Sequence, residues 1–439
     1  MCIRDRLYDA VSDAPILSPH GHVDPRLLLD DQPFSDPVDL LVRHDHYVTR
    51  MLHAAGVQLE QLDVAADPRE VWRIFCREWH RFAGTASGYW LSSILVEQFG
   101  IDEQPEAGNA DVLFDTIAGV LATPAFRPRA LFERFGIEVL ATTDDPLDEL
   151  DAHRALAADP GFGGRVIPTF RPDAYLDPEA PGFRERVERL GATSFAGYLD
   201  ALAQRRAFFV ENGAVSADHG VLEPHTEDLD DTEAARLFDA ARAGTITPPE
   251  ARAFRGRMLL EMARMSVDDG LVMTIHAGVQ RNHHGPTFER FGPDTGHDIP
   301  VATEWVRNLR PLLQRFGTEP RLHLILFTVD ETTFSRELAP LAGFYPAVFL
   351  GAPWWFLDAP DAVLRFRAAT TETAGFYRGS GFVDDTRAFL SIPARHDMSR
   401  RLDAAFLARL VGEGRLDEES ALRVARDLVD AIPRTAWRL

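Results

Sequence analysis

The chain has 439 residues, of which 45% are hydrophobic, and its 46 basic and 68 acidic residues give a formal net charge of −22. This length suits two or three ordinary domains or one large barrel with an insertion, and the negative charge argues against nucleic acid or an anionic membrane as partners. No apolar run approaches the roughly 20 residues that span a bilayer, so we expect no membrane segment.

The basic residues limit the possible catalytic mechanisms, and the cysteines indicate the cellular compartment. The sequence contains no lysine, so all 46 basic residues are arginine. This excludes Schiff-base chemistry, a lysine base and a carbamylated lysine between two metals, and it leaves arginine to hold any carboxylate. Two cysteines, Cys2 and Cys76, indicate a reducing cytoplasm. Residues 1–6 lack the apolar core of a signal peptide and are interpreted as a leader sequence.

Short β-rich runs alternate with segments long enough for helices. These runs are residues 16–18, 138–142, 165–170, 213–217, 271–275, 321–327, 347–350 and 381–384. Alternation of this kind predicts parallel βα units. With eight units it predicts an α/β fold, namely a (β/α)8 TIM-like barrel whose active site lies at the carboxyl ends of the strands.

The long interval after the first strand is helical by pattern. Amphipathic stretches at 39–52, 71–82 and 111–121 predict helices, and another helical stretch at 232–267 precedes the fifth strand. We therefore divide the chain into a leader with the first barrel strand (1–23), a helical insertion (24–130) and the remainder of the barrel (131–439). Because no Gly/Ser linker separates them, we expect the insertion to pack on the barrel.

A His-x-His pair, His20 and His22, ends the first run. Side chains alternate along a strand, so the two imidazoles point to the same side. Such a pair alone is more often structural, but Asp385 follows the last predicted strand, and a barrel brings its carboxylate next to the pair. The three residues are predicted to ligate one divalent metal in an open, catalytic site.

Four further residues follow predicted strands. His276 is either an additional ligand or a supporting donor, with an imidazole satisfied by the backbone as the alternative. Arg171 and Arg387 either bind a substrate carboxylate or form plain salt bridges at the barrel rim. Trp354 either stacks on a sugar ring or plugs the rim.

His46 and Tyr47 are neighbours on a predicted helix. Side chains of adjacent helical residues diverge by about 100°, so the pair reaches one site only if the end of the helix points at the barrel mouth. The alternative is one core aromatic residue and one solvated imidazole.

The sequence resembles the uronate isomerase (glucuronate isomerase) family of the amidohydrolase superfamily. The resemblance covers most of the chain and is carried by ten blocks in order. They are His20-Gly21-His22, Asp45-His46-Tyr47, Thr142-Thr143-Asp144-Asp145-Pro146, Pro168-Thr169-Phe170-Arg171-Pro172-Asp173, Ser216-Ala217-Asp218-His219-Gly220, His276-Ala277-Gly278, Arg281-Asn282, Gly292-Pro293-Asp294-Thr295-Gly296, Trp354-Trp355-Phe356 and Asp385-Thr386-Arg387-Ala388-Phe389-Leu390-Ser391.

The resemblance implies specific roles. One divalent metal per subunit, usually zinc, is implied on His20, His22 and Asp385, and the protein is implied to form a homo-oligomer. The residues that match the family's other active-site positions are His46, Tyr47, Arg171, Trp354 and Arg387. The family's asparagine-rich run reads Asn282-His283-His284 here, which leaves the preferred uronate open.

The implied reaction interconverts D-glucuronate and D-fructuronate, and D-galacturonate and D-tagaturonate, through an enediol. It needs a base and an electrophile at the enediolate oxygen. The metal, or His46 and Tyr47, is expected to polarise the oxygen, and Asp385 or a metal-bound water to move the proton. Two other functions are compatible with the same residues: a metal-dependent hydrolase or lactonase acting on a sugar-acid derivative, and a sugar-acid-binding barrel that has lost its activity.

Overall fold

The structure is a computed structural model, and it describes residues 2–63 and 65–439. Met1 of the predicted leader lies outside these ranges. The strands are β1 (Ile16–Ser18), β2 (Ile137–Ala141), β3 (Arg165–Ile167), β4 (Thr169–Phe170), β5 (Ser216–Val221), β6 (Val272–Ala277), β7 (Val279–Gln280), β8 (Ile299–Pro300), β9 (Leu324–Thr328) and β10 (Val348–Leu350).

Eight of the ten described strands form two parallel sheets. One has the order β1-β2-β3, and the other has the order β10-β9-β6-β5-β4. A parallel bridge between Asp144 and Phe170 lies where the two sheets meet. Strands β7 and β8 form a separate antiparallel pair. Every residue of β6 and β9 is buried, as expected for parallel strands covered on both faces. The predicted α/β class with parallel strands is confirmed.

Helices surround the strands. They are α1 (Ile3–Asp9), α2 (Pro25–Asp30), α3 (His46–Ala54), α4 (Pro68–Glu78), α5 (Ala86–Phe99), α6 (Ala110–Leu121), α7 (Pro128–Arg134), α8 (Asp151–Ala158), α9 (Asp173–Leu176), α10 (Phe183–Arg189), α11 (Phe195–Glu211), α12 (Asp231–Ala243), α13 (Pro248–Asp269), α14 (Gly285–Phe291), α15 (Arg310–Phe316), α16 (Ala339–Phe344), α17 (Pro360–Ala374), α18 (Ile392–Gly412), α19 (Glu418–Val429) and α20 (Ala431–Trp437). Within the described ranges, none of these helices is both long enough and apolar enough to cross a bilayer.

Two large hydrophobic clusters form most of the core. The larger cluster surrounds the five-stranded sheet and includes helices α11, α12 and α13. The second cluster joins helices α4, α5 and α6 of the predicted insertion to Ile16 of β1 and to Ile137 and Leu140 of β2. The segment 24–130 therefore packs directly against the first sheet.

The predicted strand 213–217 is displaced toward the carboxyl terminus, because β5 covers Ser216–Val221. Three further predicted elements differ in kind. The run 165–170 is two strands, because Pro168 lacks the N–H that a continuous ladder needs. The run 381–384, predicted as the eighth strand, is not a strand: its first residue, Gly381, has a φ of +79°, and Asp385, just after it, has a φ of +42°. The predicted helix 39–52 is a short π-helix (Asp39–Arg43) followed by α3, which Asp45 caps by accepting a hydrogen bond from the Tyr47 N–H.

Candidate active site

A cavity of about 570 Å³ lies beyond the carboxyl ends of the parallel strands. It is lined by eight of the nine residues predicted for the site: His22, His46, Tyr47, Arg171, His276, Trp354, Asp385 and Arg387. The ninth, His20, is buried next to Asp385 and is 1% exposed. The structure therefore brings together residues that are separated by more than 350 positions in the sequence.

The Asp385 carboxylate faces the two histidines that follow β1. Its Oδ1 lies 2.9 Å from Nε2 of His22 and 3.4 Å from Nε2 of His20. Burial raises the pKa of Asp385, but the adjoining imidazoles of His20 and His22 outweigh burial and hold the pKa well below its usual range. The carboxylate is therefore ionised at neutral pH.

A third imidazole, His276 at the end of β6, stacks on His20 with ring centroids 4.5 Å apart. Ligand atoms of His20, His276 and Asp385 all lie within 4.8 Å of one another, which makes these three residues a candidate metal site. The sequence placed His22 in this set, with His276 as a ligand or a supporting donor. Ligation by His22 stays a prediction, and its Nε2 contact with Asp385 keeps it beside the cluster.

His276 is oriented by a carboxylate that we did not assign to the site from the sequence. Its Nδ1 lies 2.6 Å from Oδ1 of Asp218, which also accepts a hydrogen bond from the Thr274 hydroxyl at 2.7 Å. An ionised carboxylate only accepts, so Nδ1 of His276 carries the proton and Nε2 keeps its lone pair. A ligating histidine characteristically donates its other nitrogen to a carboxylate in this way.

The buried atoms at this point fit a cation. Nε2 of His276 and Oδ1 of Asp385 are buried without a hydrogen-bond partner, and buried polar atoms are rarely left unpaired. Burial lowers the pKa of His20, but the charges of Asp218 and Asp385 outweigh burial and raise the pKa above its ordinary value. The surroundings thus favour positive charge, which a divalent cation supplies.

The His22 ring is also fixed. Its Nδ1 lies 2.9 Å from the Thr143 hydroxyl, and that hydroxyl donates to the Gly21 carbonyl oxygen at 2.7 Å. Because the hydroxyl proton is used, Thr143 accepts the hydrogen bond, and His22 carries its proton on Nδ1. Burial lowers the pKa of His22 to about 4. With Nδ1 held by Thr143, Nε2 is the ring nitrogen that faces Asp385, at 2.9 Å.

Two arginines enter the cavity with different partners. Nε of Arg171 lies 2.9 Å from Asp173 and 3.5 Å from Asp218, so two carboxylates already neutralise this guanidinium. Arg387 pairs with Asp294 at 2.9 Å, and its side chain is 43% exposed. Arg387 thus has more capacity to bind an anion.

His46 and Tyr47 reach the cavity because α3 begins there. Their rings stack with centroids 4.7 Å apart, and the His46 ring meets the edge of Trp355 at 5.3 Å. Burial raises the pKa of Tyr47 and lowers that of His46. The phenol therefore remains a hydrogen-bond donor at neutral pH, and the imidazole stays neutral.

Aromatic rings form one wall of the cavity. Trp354 is 5% exposed, and its ring lies edge-on to His276 with centroids 4.7 Å apart. Its neighbour Trp355 carries the guanidinium of Arg281 over its face at 4.5 Å. The Trp354 ring therefore contacts the candidate metal site and does not lie at the outer rim of the fold.

Three carboxylates that pair with residues of the site were not assigned to it from the sequence: Asp173, Asp218 and Asp294. Each lies in a block that carries the family resemblance, so the residues were visible but their partners were not. Asp218 is a carboxylate in a buried strand, and such a residue needs a charged or hydrogen-bonding partner. That rule was the available signal for its role.

A parallel α/β fold with imidazoles and a carboxylate gathered at the strand ends is typical of metal-dependent enzymes of the amidohydrolase type. A metal-site geometry alone does not separate the members of that class. The model of the family described as glucuronate isomerase matches residues 3–432 of this sequence. The chain belongs to the glucuronate isomerase (uronate isomerase) family.

Individual relatives agree with the family match. A protein from Corynebacterium efficiens, named uronate isomerase, is 51% identical over 448 residues, which cover 100% of this chain and 96% of the relative. The crystal structure of glucuronate isomerase from Caulobacter crescentus has a TM-score of 0.97 at 50% identity, covering 99% of this chain and 94% of that one. A proposed metal-dependent hydrolase from Lactobacillus casei shares the fold, with a TM-score of 0.57 at 16% identity over 98% of this chain and 97% of that one.

Proposed function

We propose that this chain is a metal-dependent uronate isomerase that interconverts D-glucuronate with D-fructuronate and D-galacturonate with D-tagaturonate. The observation that carries the proposal is the convergence of His276, Asp385, Tyr47 and Arg387 in one cavity, with His20 buried beside Asp385. Family membership over nearly the whole chain supports the same reaction.

The metal is proposed to be one divalent ion per subunit, and the donor set favours Zn²⁺. His20, His276 and Asp385 would hold it, and His22, one of the three ligands predicted from the sequence, lies beside them. Two or three imidazoles and one carboxylate form a donor set that zinc accepts. When bound, the ion supplies a Lewis acid for the oxygen that gains charge in the enediol.

The remaining chemistry is assigned to residues of the cavity. Asp385, ionised and facing the cavity, is proposed to accept the proton from C2 and return it to C1. Tyr47 donates a hydrogen bond to the substrate oxygen, and His46, stacked on it, orients the phenol and offers a second polar contact.

Substrate binding is assigned to four residues around the candidate metal site. Arg387 is proposed to bind the uronate carboxylate through its guanidinium fork, because it has one acidic partner and an exposed side chain. Arg171 would contact hydroxyl groups, since Asp173 and Asp218 already neutralise it. Trp354 would pack against the sugar, and His276 would contact it from the metal side.

We also propose the finer architecture on which this site depends. The two sheets and the segment 381–386 would together form a (β/α)8 barrel. In this division of the chain, 1–23 holds the leader and the first barrel strand, 24–130 is the helical insertion, and 131–439 is the remainder of the barrel. The Asp144–Phe170 bridge supports a junction on one side. On the other side, the His22 N–H donates to the Thr386 carbonyl oxygen at 3.0 Å, and Leu350 bridges Gly379.

Cellular context is part of the proposal. The two free cysteines, exposed Cys2 and buried Cys76, support a reducing compartment such as the cytoplasm. Self-association into a homo-oligomer is proposed from the family resemblance, and sedimentation velocity of the purified protein tests it.

The activity is tested with the purified full-length protein, D-glucuronate and D-galacturonate, before and after removal of metal with a chelator. We expect ketose formation from the uronates, loss of that activity after chelation and its return with Zn²⁺. A panel of sugar-acid lactones, esters and amides runs in parallel. Hydrolysis without aldose–ketose turnover would replace our proposal with the hydrolase alternative.

The proton transfer is tested by running the reaction in D2O and following the hydrogen derived from C2 by NMR. Because Asp385 faces an open cavity, we expect deuterium from solvent in the product. Complete retention of the original hydrogen would contradict a solvent-exposed base and favour a shielded transfer or a hydride shift.

A further inference from the structure

Arg395 on α18 lies directly behind the segment that carries Asp385. It is 1% exposed, and its Nη1 donates to Oδ2 of Asp358, itself 2% exposed, at 2.6 Å. The same Nη1 lies 3.3 Å from the carbonyl oxygen of Asp384, and its Nε donates to the Ser391 hydroxyl at 3.1 Å. A fully buried ion pair bears a large desolvation penalty and so adds little to the stability of the fold. The residues that Arg395 contacts indicate another role for it.

The segment next to Arg395 adopts an unusual backbone. Asp385 has a φ of +42°, in the left-handed region that residues other than glycine seldom occupy. Its neighbours are held on both sides: Arg395 contacts the Asp384 carbonyl oxygen, and the His22 N–H donates to the carbonyl oxygen of Thr386 at 3.0 Å. Such a conformation persists only when the surroundings fix it.

The same guanidinium faces the insertion. Its central carbon lies 3.6 Å from the ring centroid of Trp90 on α5 and 5.4 Å from that of Tyr47. The Tyr47 and Trp90 rings meet edge to face at 5.8 Å. Arg395 therefore contacts both the segment of the candidate metal ligand Asp385 and the aromatic pair that includes Tyr47.

We propose that Arg395, fixed by Asp358, is a positioning residue that holds the Asp385 carboxylate and the Tyr47 ring in one relative geometry. The catalytic part of this proposal rests on the proposed function, that is, on the isomerase activity, and the metal-binding part rests on the candidate metal site alone. Arg395 contacts neither substrate nor metal; it acts through Asp385 and Tyr47.

The test uses the full-length variants Arg395→Met, Arg395→Lys and Asp358→Asn. Zn²⁺ affinity is measured by competition with a chromophoric chelator, and kcat, KM and Tm are measured alongside. Because losing a group that orients ligands lowers metal affinity by about 10–100-fold, we expect a loss in that range for Arg395→Met, with a lower kcat and little change in KM. Arg395→Lys keeps the charge but loses the planar fork, so we expect an intermediate loss.

Arg367→Met is the matched control. Arg367 makes a two-point ion pair with Asp403, also on α18, at 2.6 and 3.0 Å, and both side chains are largely buried. Neither residue lines the cavity. We expect this variant to lower Tm as Arg395→Met does, but to keep the wild-type Zn²⁺ affinity and kcat.

The proposal is overturned if Arg395→Met and Asp358→Asn keep Zn²⁺ affinity within about twofold of wild type, or if Arg367→Met loses as much affinity and kcat as they do. If Arg395→Met fails to fold, Arg395→Lys and Asp358→Asn decide. Weakened Zn²⁺ binding in these variants, with no uronate turnover by the wild-type protein, would support positioning of Asp385 and reject the proposed function. Normal uronate turnover by the wild-type protein, with Zn²⁺ affinity and kcat unchanged in the variants, would support the proposed function and reject the positioning role of Arg395.

Discussion

Replacement of Asp218 by asparagine removes one negative charge at nearly constant shape. Asp218 is 1% exposed, and its Oδ1 accepts hydrogen bonds from Nδ1 of His276 at 2.6 Å and from the Thr274 hydroxyl at 2.7 Å. The asparagine amide still offers an oxygen acceptor, so the Asp218→Asn substitution tests the charge more than the contact.

The expected magnitude follows from the hydrogen bond to His276. A bond to a charged group contributes about 1.5–3 kcal/mol, whereas a neutral bond contributes about 0.5–1.5 kcal/mol. Losing the charge therefore weakens the hydrogen bond that orients His276 and makes it a better ligand by about 1–1.5 kcal/mol. A difference of 1.4 kcal/mol corresponds to a factor of about 10 in affinity. We expect Zn²⁺ to bind Asp218→Asn about tenfold more weakly than wild type.

The assay is chelator competition on metal-loaded protein at about pH 7.5, where Asp385 is ionised and His22 is neutral, with kcat and KM for D-glucuronate measured at saturating Zn²⁺. Asp269→Asn is the control, because Asp269 pairs with buried Arg206 at 2.6 Å and does not line the cavity. Equal Zn²⁺ affinities of Asp218→Asn and wild type would refute the reasoning that this carboxylate orients a metal ligand.

Three further substitutions test the cavity and the buried histidines. Tyr47→Phe removes the proposed donor, and we expect kcat to fall about 100-fold with Zn²⁺ affinity unchanged; a kcat equal to wild type in steady-state assays would contradict this role. Arg387→Met removes the proposed carboxylate partner, and we expect KM for D-glucuronate to rise at least about tenfold, with an unchanged KM as the contrary result. Burial lowers the pKa of His219 to about 4, whereas an unfolded histidine titrates near about 6.5. Below about pH 6.5 the His219 side chain is therefore protonated in the unfolded chain but stays neutral in the folded chain. The contribution of His219 to the free energy of unfolding is fully present above that pH, and it falls by up to about 3 kcal/mol as the pH falls toward about 4. In urea unfolding of metal-free protein between about pH 7.5 and about pH 5, the free energy of unfolding should fall less for His219→Asn than for wild type. The same dependence on pH in both proteins would contradict this expectation.

Much of the strand arrangement could be predicted because parallel buried strands are apolar along their whole length. The run 271–275 predicted most of β6, and the run 321–327 predicted most of β9, whereas the run 213–217 reached only the first residues of β5. The run 381–384 resembled these runs in composition, but Gly381 and Asp385 have positive φ values that interrupt regular pairing. Backbone conformations of this kind depend on contacts such as the one between Arg395 and the Asp384 carbonyl oxygen, which a local sequence pattern does not reveal.

The site was predictable where a side chain directly follows a strand. His20, Arg171 and His276 were found in this way, because the carboxyl ends of parallel strands share one edge. The carboxylates that pair with site residues were not assigned, since Asp218 meets His276 and Asp294 meets Arg387 only through contacts across the fold. A sequence pattern gives the residue types at the strand ends but not their partners.

The central claim is that a single divalent ion, held by imidazoles and the Asp385 carboxylate, is required for uronate isomerisation. Stepwise addition of Zn²⁺ to metal-free protein, with D-glucuronate turnover read after each addition, tests it directly. We predict activity that rises linearly and reaches its plateau at one equivalent per chain, and no such rise in His20→Ala. Full turnover by protein shown by elemental analysis to be metal-free would contradict the claim.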